Sequence, residues 1–153
     1  KAFQLINSNY NKNPSAFNTM LLGSVYSLMA RDEKSEMVAA KNVQNALDYL
    51  NKAVKMEPQN SIIREFRTHC FVGIPDVFNI KEGLEEDAIF YEKEIGSDSS
   101  VNKIPTMMTL ASVYFKTGDL VKASALWNKV ISLTDKDNAW NQSARKMLSE
   151  IDE

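Results

Sequence analysis

Residues 104–135 allow little freedom in how they fold, because two short amphipathic patterns are joined there by the turn Lys116-Thr117-Gly118-Asp119. Before the turn, Met107, Leu110, Ala111, Tyr114 and Phe115 recur at three- and four-residue spacing, which places them on one side of a helix. After it, Leu120, Ala123, Leu126, Trp127, Val130, Ile131 and Leu133 follow the same period. Ala111 and Ala123 are small enough to let two helix backbones approach closely. Gly118 is placed to end the first helix and Asp119 to cap the second. The segment therefore reads as one helical hairpin.

Leu110-Ala111, Tyr114, Gly118-Asp119, Ala123, Trp127 and Val130 fall where a tetratricopeptide repeat (TPR) places its characteristic residues, and the segment resembles one such unit. The usual glycine is Ala111, the usual late alanine is Val130, and the usual proline is replaced by Asp135, so the copy is degenerate. Leu22-Gly23 and Tyr26, followed by Ala46, Leu50, Ala53 and Pro58, match the same motif a second time. The resemblance implies an all-α, TPR-like α-solenoid of about eight antiparallel helices, three hairpins plus terminal helices in a right-handed stack. It implies a binding scaffold and leaves the partner unnamed.

Read in order, the 153 residues divide into five stretches of a single domain. Residues 1–14 carry Phe3, Ile6 and Tyr10 on one stripe before an Asn-Lys-Asn-Pro breaker, and read equally as a half-repeat or an N-terminal cap. Residues 15–60 form repeat one, with Ser15 as a cap and a charged insertion, Arg31 to Glu36, between its helices; the second helix is expected to begin near Glu36. Residues 61–102 form repeat two, whose first helix places Ile63, Phe66 and Cys70 on one stripe and Arg64, Arg67 and Phe71 on the adjoining one. At least one of these arginines is expected to be buried, with Asp87, Asp76 and Glu86 as candidate partners. Pro75 breaks that helix at Ile74 and leaves an apolar-bearing loop; helix resumes before Leu84 and ends at a Gly-Ser-Asp-Ser-Ser linker. Residues 103–137 are repeat three, and 138–153 a capping helix with Trp140, Ala144, Met147, Leu148 and Ile151 on one face.

Composition excludes several function classes. The chain is 44% hydrophobic and 25% charged, neither disordered nor collagenous, and has no apolar run long enough to span a membrane, so it is expected to be soluble. A formal net charge of -2 and the lack of a Lys/Arg tract interleaved with aromatics disfavour nucleic acid as a partner. The single cysteine, Cys70, excludes an intramolecular disulfide and leaves the compartment open. A start at Lys1 fits a fragment, or a mature form whose targeting segment has been removed. Asn141-Gln142-Ser143 matches a glycosylation tripeptide, a pattern too short to carry weight.

Catalysis has little support. His69 is the one histidine and sits directly beside Cys70, so the two point about 100° apart on a helix and read better as structural residues. No CxxC, HExxH, phosphate loop or EF-hand pattern is present, so no cofactor or metal is expected, and Glu82, Glu85, Glu86 and Asp87 read as a solvated helix face. The chain is therefore read as a non-catalytic protein- or peptide-binding scaffold, with a structural or accessory subunit of a larger helical-repeat assembly as the alternative. By analogy with TPR geometry the partner would lie on the concave face, against Phe17, Met20, Ser24 and Leu28, then Glu65 and His69, then Met108, Ser112, Phe115 and Lys116. The TPR clamp for chaperone C-terminal carboxylates uses lysine, asparagine and arginine where this chain has Met20, Ser24, Pro105 and Thr109, which argues against that ligand. If Met20 and Phe115 are core, the groove is to be sought on the loop 74–80 or along the charged turn after Ala30.

Overall fold

Each hydrophobic period read from the sequence becomes a helix in the computed structural model, which describes residues 2–97 and 100–151. The helices are α1 (Ala2–Lys12), α2 (Ala16–Asp32), α3 (Glu36–Met56), α4 (Ser61–Val72), α5 (Lys81–Ile95), α6 (Ile104–Thr117), α7 (Leu120–Leu133) and α8 (Ala139–Ser149), with no strand among the described residues. The fold is all-α. A 3-10 turn, Val101–Lys103, leads into α6. It follows the stretch read as a linker, of which Asp98 and Ser99 lie outside the described residues. Contacts divide the chain into two compact units, Lys1–Ile80 and Lys81–Glu153. The division falls between α4 and α5, inside the stretch 61–102 read as one repeat.

In the first unit, local chemistry sets the helix ends. The Ser15 hydroxyl accepts the N–H of Asn18 at 3.2 Å, and the Asn60 side chain accepts the N–H groups of Ile62 and Ile63, each satisfying donors that the first turn leaves free. The helix α3 begins at Glu36, as its period predicts, and α4 stops at Val72 with Gly73 as its cap, two residues before Pro75. The three-residue link between α2 and α3 makes them antiparallel neighbours. They pack around Met20, Leu22, Val43, Ala46, Leu47, Leu50, Ala53 and Val54, all buried.

Gly23 marks the closest approach of that hairpin. A Cβ added there would stand 2.8 Å from Leu50 Cγ, 3.1 Å from the Leu50 backbone nitrogen and 3.1 Å from Tyr49 Cβ. Two of these atoms belong to the α3 backbone or the branch point of a packed leucine, so the helices would have to part. Gly23→Ala is therefore expected to destabilise the unit by about 1–3 kcal/mol of overpacking, offset in part by the ~1 kcal/mol that alanine gains as a helix former. A urea titration followed by circular dichroism checks this; a variant more stable than the parent would show that α2 and α3 are not in such close contact.

An aromatic chain holds α1 against this hairpin. Phe3 meets Tyr26 edge-on at 5.4 Å, Tyr26 stacks on Tyr49 at 5.7 Å, and Tyr49 meets Tyr10 edge-on at 5.4 Å, with the Lys52 ammonium donating to the Tyr10 hydroxyl at 2.9 Å.

The buried face of α4 is the arginine stripe. Arg64, Arg67 and Phe71 are buried together with Ile63 and Thr68, whereas Phe66 is 41% exposed and Cys70 half-buried. The expectation of a buried arginine is met twice. Arg64 Nε donates to the Pro58 carbonyl at 2.7 Å. Arg67 Nη1 donates to Asn51 Oδ1 at 3.1 Å, and its guanidinium lies 5.8 Å from the centre of the Phe71 ring. These acceptors and the aliphatic stems let a charged stripe turn inward. As a consequence the apolar stripe is divided: Ile63 is buried, Cys70 half-buried, and Phe66 turns outward.

In the second unit, the turn between α6 and α7 is built as its sequence predicts. Gly118 takes φ +88°, a left-handed conformation open to glycine, and its N–H points at the Phe115 and Tyr114 carbonyls. The Asp119 N–H donates to the Tyr114 carbonyl at 2.8 Å, and its carboxylate accepts the Lys122 N–H at 3.1 Å. The helices α6 and α7 enclose Met107, Leu110, Ala111, Val113, Tyr114, Ala123, Trp127 and Val130. From α5, Glu92 accepts the Tyr114 hydroxyl, and burial, the bond and the nearby carboxylate together push that phenol far above its usual pKa.

The last helix is fastened by one amide. Asn141 Nδ2 donates to the Ile131 carbonyl at 3.1 Å and the Thr134 carbonyl at 2.8 Å, while its Oδ1 accepts Arg145 Nε at 2.8 Å. Those bonds satisfy carbonyls left free at the end of α7. Asn141 is 1% exposed, so the amide of the Asn-Gln-Ser tripeptide is inaccessible to a glycan in the folded chain.

Candidate functional site

The groove in the first unit arises because α4 stops early. The Cys70 thiol lies within hydrogen-bonding reach of the Ser27 and Ser24 hydroxyls, which puts it level with the middle of α2. Beyond that level α4 ends two residues later at Val72, while α2 continues to Asp32 and the hairpin returns along α3 from Glu36. Within this unit, the tip of the α2/α3 hairpin is thus left without another helix against it.

The segment 73–80 supplies the remaining wall. It is pinned at both ends by Ile74 and Ile80, each 4% exposed, and folded by N–H donations from Ile74 to the Phe71 carbonyl, Phe78 to the Pro75 carbonyl and Ile80 to the Phe78 carbonyl. Between the pins Val77 projects, 86% exposed. The result is an open groove of about 1140 Å³. It is lined by the small side chains Ser24, Ser27, Ala30 and Ala39, half-buried, and Ala40, exposed; by the apolar Leu28, Val43, Phe66, Ile74, Pro75 and Phe78; and by the exposed Arg31, Glu36, Glu65 and His69, which form its rim.

Several polar groups of this lining are held by near neighbours. Arg31 is held by Asp32, Nε to Oδ1 at 2.8 Å and Nη2 to Oδ2 at 3.3 Å; the bond and the charge raise the guanidinium pKa and lower that of the carboxylate. A ring nitrogen of His69, Nδ1, lies 2.8 Å from the Glu65 carbonyl one turn earlier, which fixes the imidazole on the helix surface. Burial pushes the Cys70 thiol above its usual pKa, with the Ser27 and Ser24 hydroxyls pulling weakly the other way, so at neutral pH it is a thiol and a poor nucleophile. Among the described residues no group of three or more His, Cys, Asp and Glu side chains is placed to hold a metal ion. No described helix is long and apolar enough to cross a membrane.

Of the residues singled out from sequence, Ser24, Leu28, Glu65 and His69 line this groove together. Two others on α2 do not. Phe17 is 53% exposed but lies outside the lining, and Met20 is 0% exposed, a core residue whose carbonyl accepts the Ser24 hydroxyl. Met108, Ser112, Phe115 and Lys116 belong to α6 in the other unit. There Met108 is 9% exposed, the Ser112 hydroxyl donates back to the Met108 carbonyl at 3.0 Å, and the half-buried Phe115 ring lies 5.7 Å from Trp127. The residues that sequence periodicity missed, Phe66, Ile74, Val77 and Phe78, sit on the outward stripe of α4 and on the apolar loop. The loop's own composition, four large apolar residues around Pro75 and Asp76, was the readable signal. A comparison with protein-family models, curated proteins and solved structures finds no match to this chain.

Proposed function

We propose that this chain is a non-catalytic scaffold of TPR-like helical hairpins that binds a protein or peptide, and that the binding surface is the groove between the α2/α3 tip, α4 and the loop 73–80. The observation that carries the reading is the exposure of three large apolar side chains, Leu28 at 50%, Phe66 at 41% and Val77 at 86%, around one groove that serines and alanines also line. Scattered apolar residues on a surface need no partner, but a contiguous apolar groove with a polar rim marks a site of association. Small side chains in the lining leave room for a backbone, and the serine hydroxyls offer it hydrogen bonds.

A structural or accessory role in a larger helical assembly is the second reading, favoured by exposed apolar side chains on other helices: Leu5 on α1, Val121 on α7 and Trp140 on α8. Sedimentation velocity separates the two, since association that persists after the groove is altered points to those helices.

The direct test is selection from a displayed random-peptide library, followed by affinity measurement against the parent and the double variant Leu28→Asp, Phe66→Asp. Selected peptides are expected to be rich in large apolar residues and to lose about tenfold or more in affinity on the double variant, each substitution costing ~1 kcal/mol or more at a binding hot spot. Both positions are exposed, so the melting midpoint should stay close to that of the parent. Peptides that bind both proteins equally would place the site elsewhere.

A further inference from the structure

We infer that the occupant of the groove is a cationic amphipathic polypeptide segment, seating large apolar side chains on Leu28, Phe66 and Val77 and reaching Glu36 and Glu65 with Lys or Arg; the inference rests on the peptide-binding reading above. The argument is one of charge complementarity. The turn between α2 and α3 cancels its own charge: Arg31 is tied to Asp32, and Glu33, whose carboxylate accepts the N–H groups of Lys34 and Ser35, is balanced by Lys34 in the same turn. What remains on the rim is Glu36 on α3 and Glu65 on α4, both exposed, and neither has an ion-pair partner among the described residues. His69 is the remaining titratable group of the rim. Glu36 opens α3 and is partly satisfied by that helix's own positive end, so Glu65, in the second turn of α4, carries the larger share of the attraction.

Size and openness select against other ligands. A small molecule needs a pocket that covers most of its surface, and walls whose leading side chains, Leu28, Phe66 and Val77, are 50%, 41% and 86% exposed do not enclose one. A phosphate backbone or an anionic lipid surface would meet two uncompensated carboxylates. A polypeptide with alternating apolar and basic faces meets both the walls and the rim, and charge of this kind acts on partner choice and approach more than on total affinity.

The test uses three synthetic peptides with the same leucines at three- and four-residue spacing and with lysine, glutamine or glutamate at every flanking position. Binding to the full chain is followed by fluorescence anisotropy at low and at raised salt. The lysine peptide is expected to bind about fivefold more tightly than the glutamine peptide at low salt, near the middle of what two exposed ion pairs give, and the glutamate peptide more weakly still. The lysine advantage should shrink as salt screens it, and should vanish in Glu36→Gln, Glu65→Gln with the glutamine peptide's affinity unchanged. Equal binding by all three peptides, or a lysine advantage that survives the double variant, would overturn the inference and leave the groove reading standing. If none of the three binds, or if binding by all of them is indifferent to Leu28→Asp with Phe66→Asp, both fall.

Discussion

Met20→Asp is expected to unfold the unit Lys1–Ile80, although Met20 lies on the helix that supplies part of the groove. Its side chain is 0% exposed, within a hairpin whose closest approach is set by Gly23 one turn later. A carboxylate placed there must either lose its hydration without a counter-charge or take up a proton at an abnormally high pKa, and either route costs several kcal/mol. Set against a typical total of about 5–15 kcal/mol, and less for a unit of this size, that loss is decisive. Circular dichroism should show the loss of helical signal, and hydrogen exchange should show α2 and α3 unprotected. Met20→Leu, close in volume, should cost under about 1.5 kcal/mol, and Phe17→Asp, at a position 53% exposed, well under 1. A Met20→Asp protein that melts with the parent would mean that the side chain reaches solvent, and would return it to the binding surface.

The second large effect is expected at Trp127. Its ring is 0% exposed, packs beside Phe115 at 5.7 Å and sits between Ala123 and Val130 on the buried stripe of α7. Truncation to alanine removes the largest fully buried side chain of the described residues and leaves a cavity that a helical hairpin closes only in part, a loss of about 3–5 kcal/mol. The indole N–H has no hydrogen-bond partner among the described residues, so Trp127→Phe forfeits no bond seen there and keeps most of the ring. Phenylalanine should therefore recover much of what alanine loses, measured as the difference in urea midpoint. Equal losses for the two substitutions would show that the N–H has an acceptor in solution.

Helix positions were legible because their signals are local. Ser15, Gly118 and Asp119 begin or end helices through bonds to residues within five positions, and the periods of α6 and α7 name their own buried stripes. The orientation of α4 was not legible in that way. Its two adjoining stripes differ by one position, and the arginine stripe finds acceptors that include the Asn51 side chain on α3 and the Pro58 carbonyl, which no period in α4 can announce. Met20 illustrates the same difficulty on α2, where the buried residues Ala16, Thr19, Met20, Leu22 and Gly23 extend too far round the helix to separate a groove face from a core face. The groove itself follows from where α4 stops relative to its neighbours and from an aperiodic loop pinned by Ile74 and Ile80. Four of its residues were named from the resemblance; Ile74, Pro75, Val77, Phe78, Arg31 and Glu36 belong to the loop and charged turn that stood as the second place to search, and Val43 and Phe66 to neither.

Methyl-labelled nuclear magnetic resonance, with a selected peptide titrated into the full chain, tests the central claim most directly. Saturable shifts are predicted at the methyls of Leu28, Val43, Ile74 and Val77, which line the groove from three separate elements. Shifts confined to Val113, Val121, Val130 and Leu133 of the second unit, with those four methyls unmoved, would contradict it.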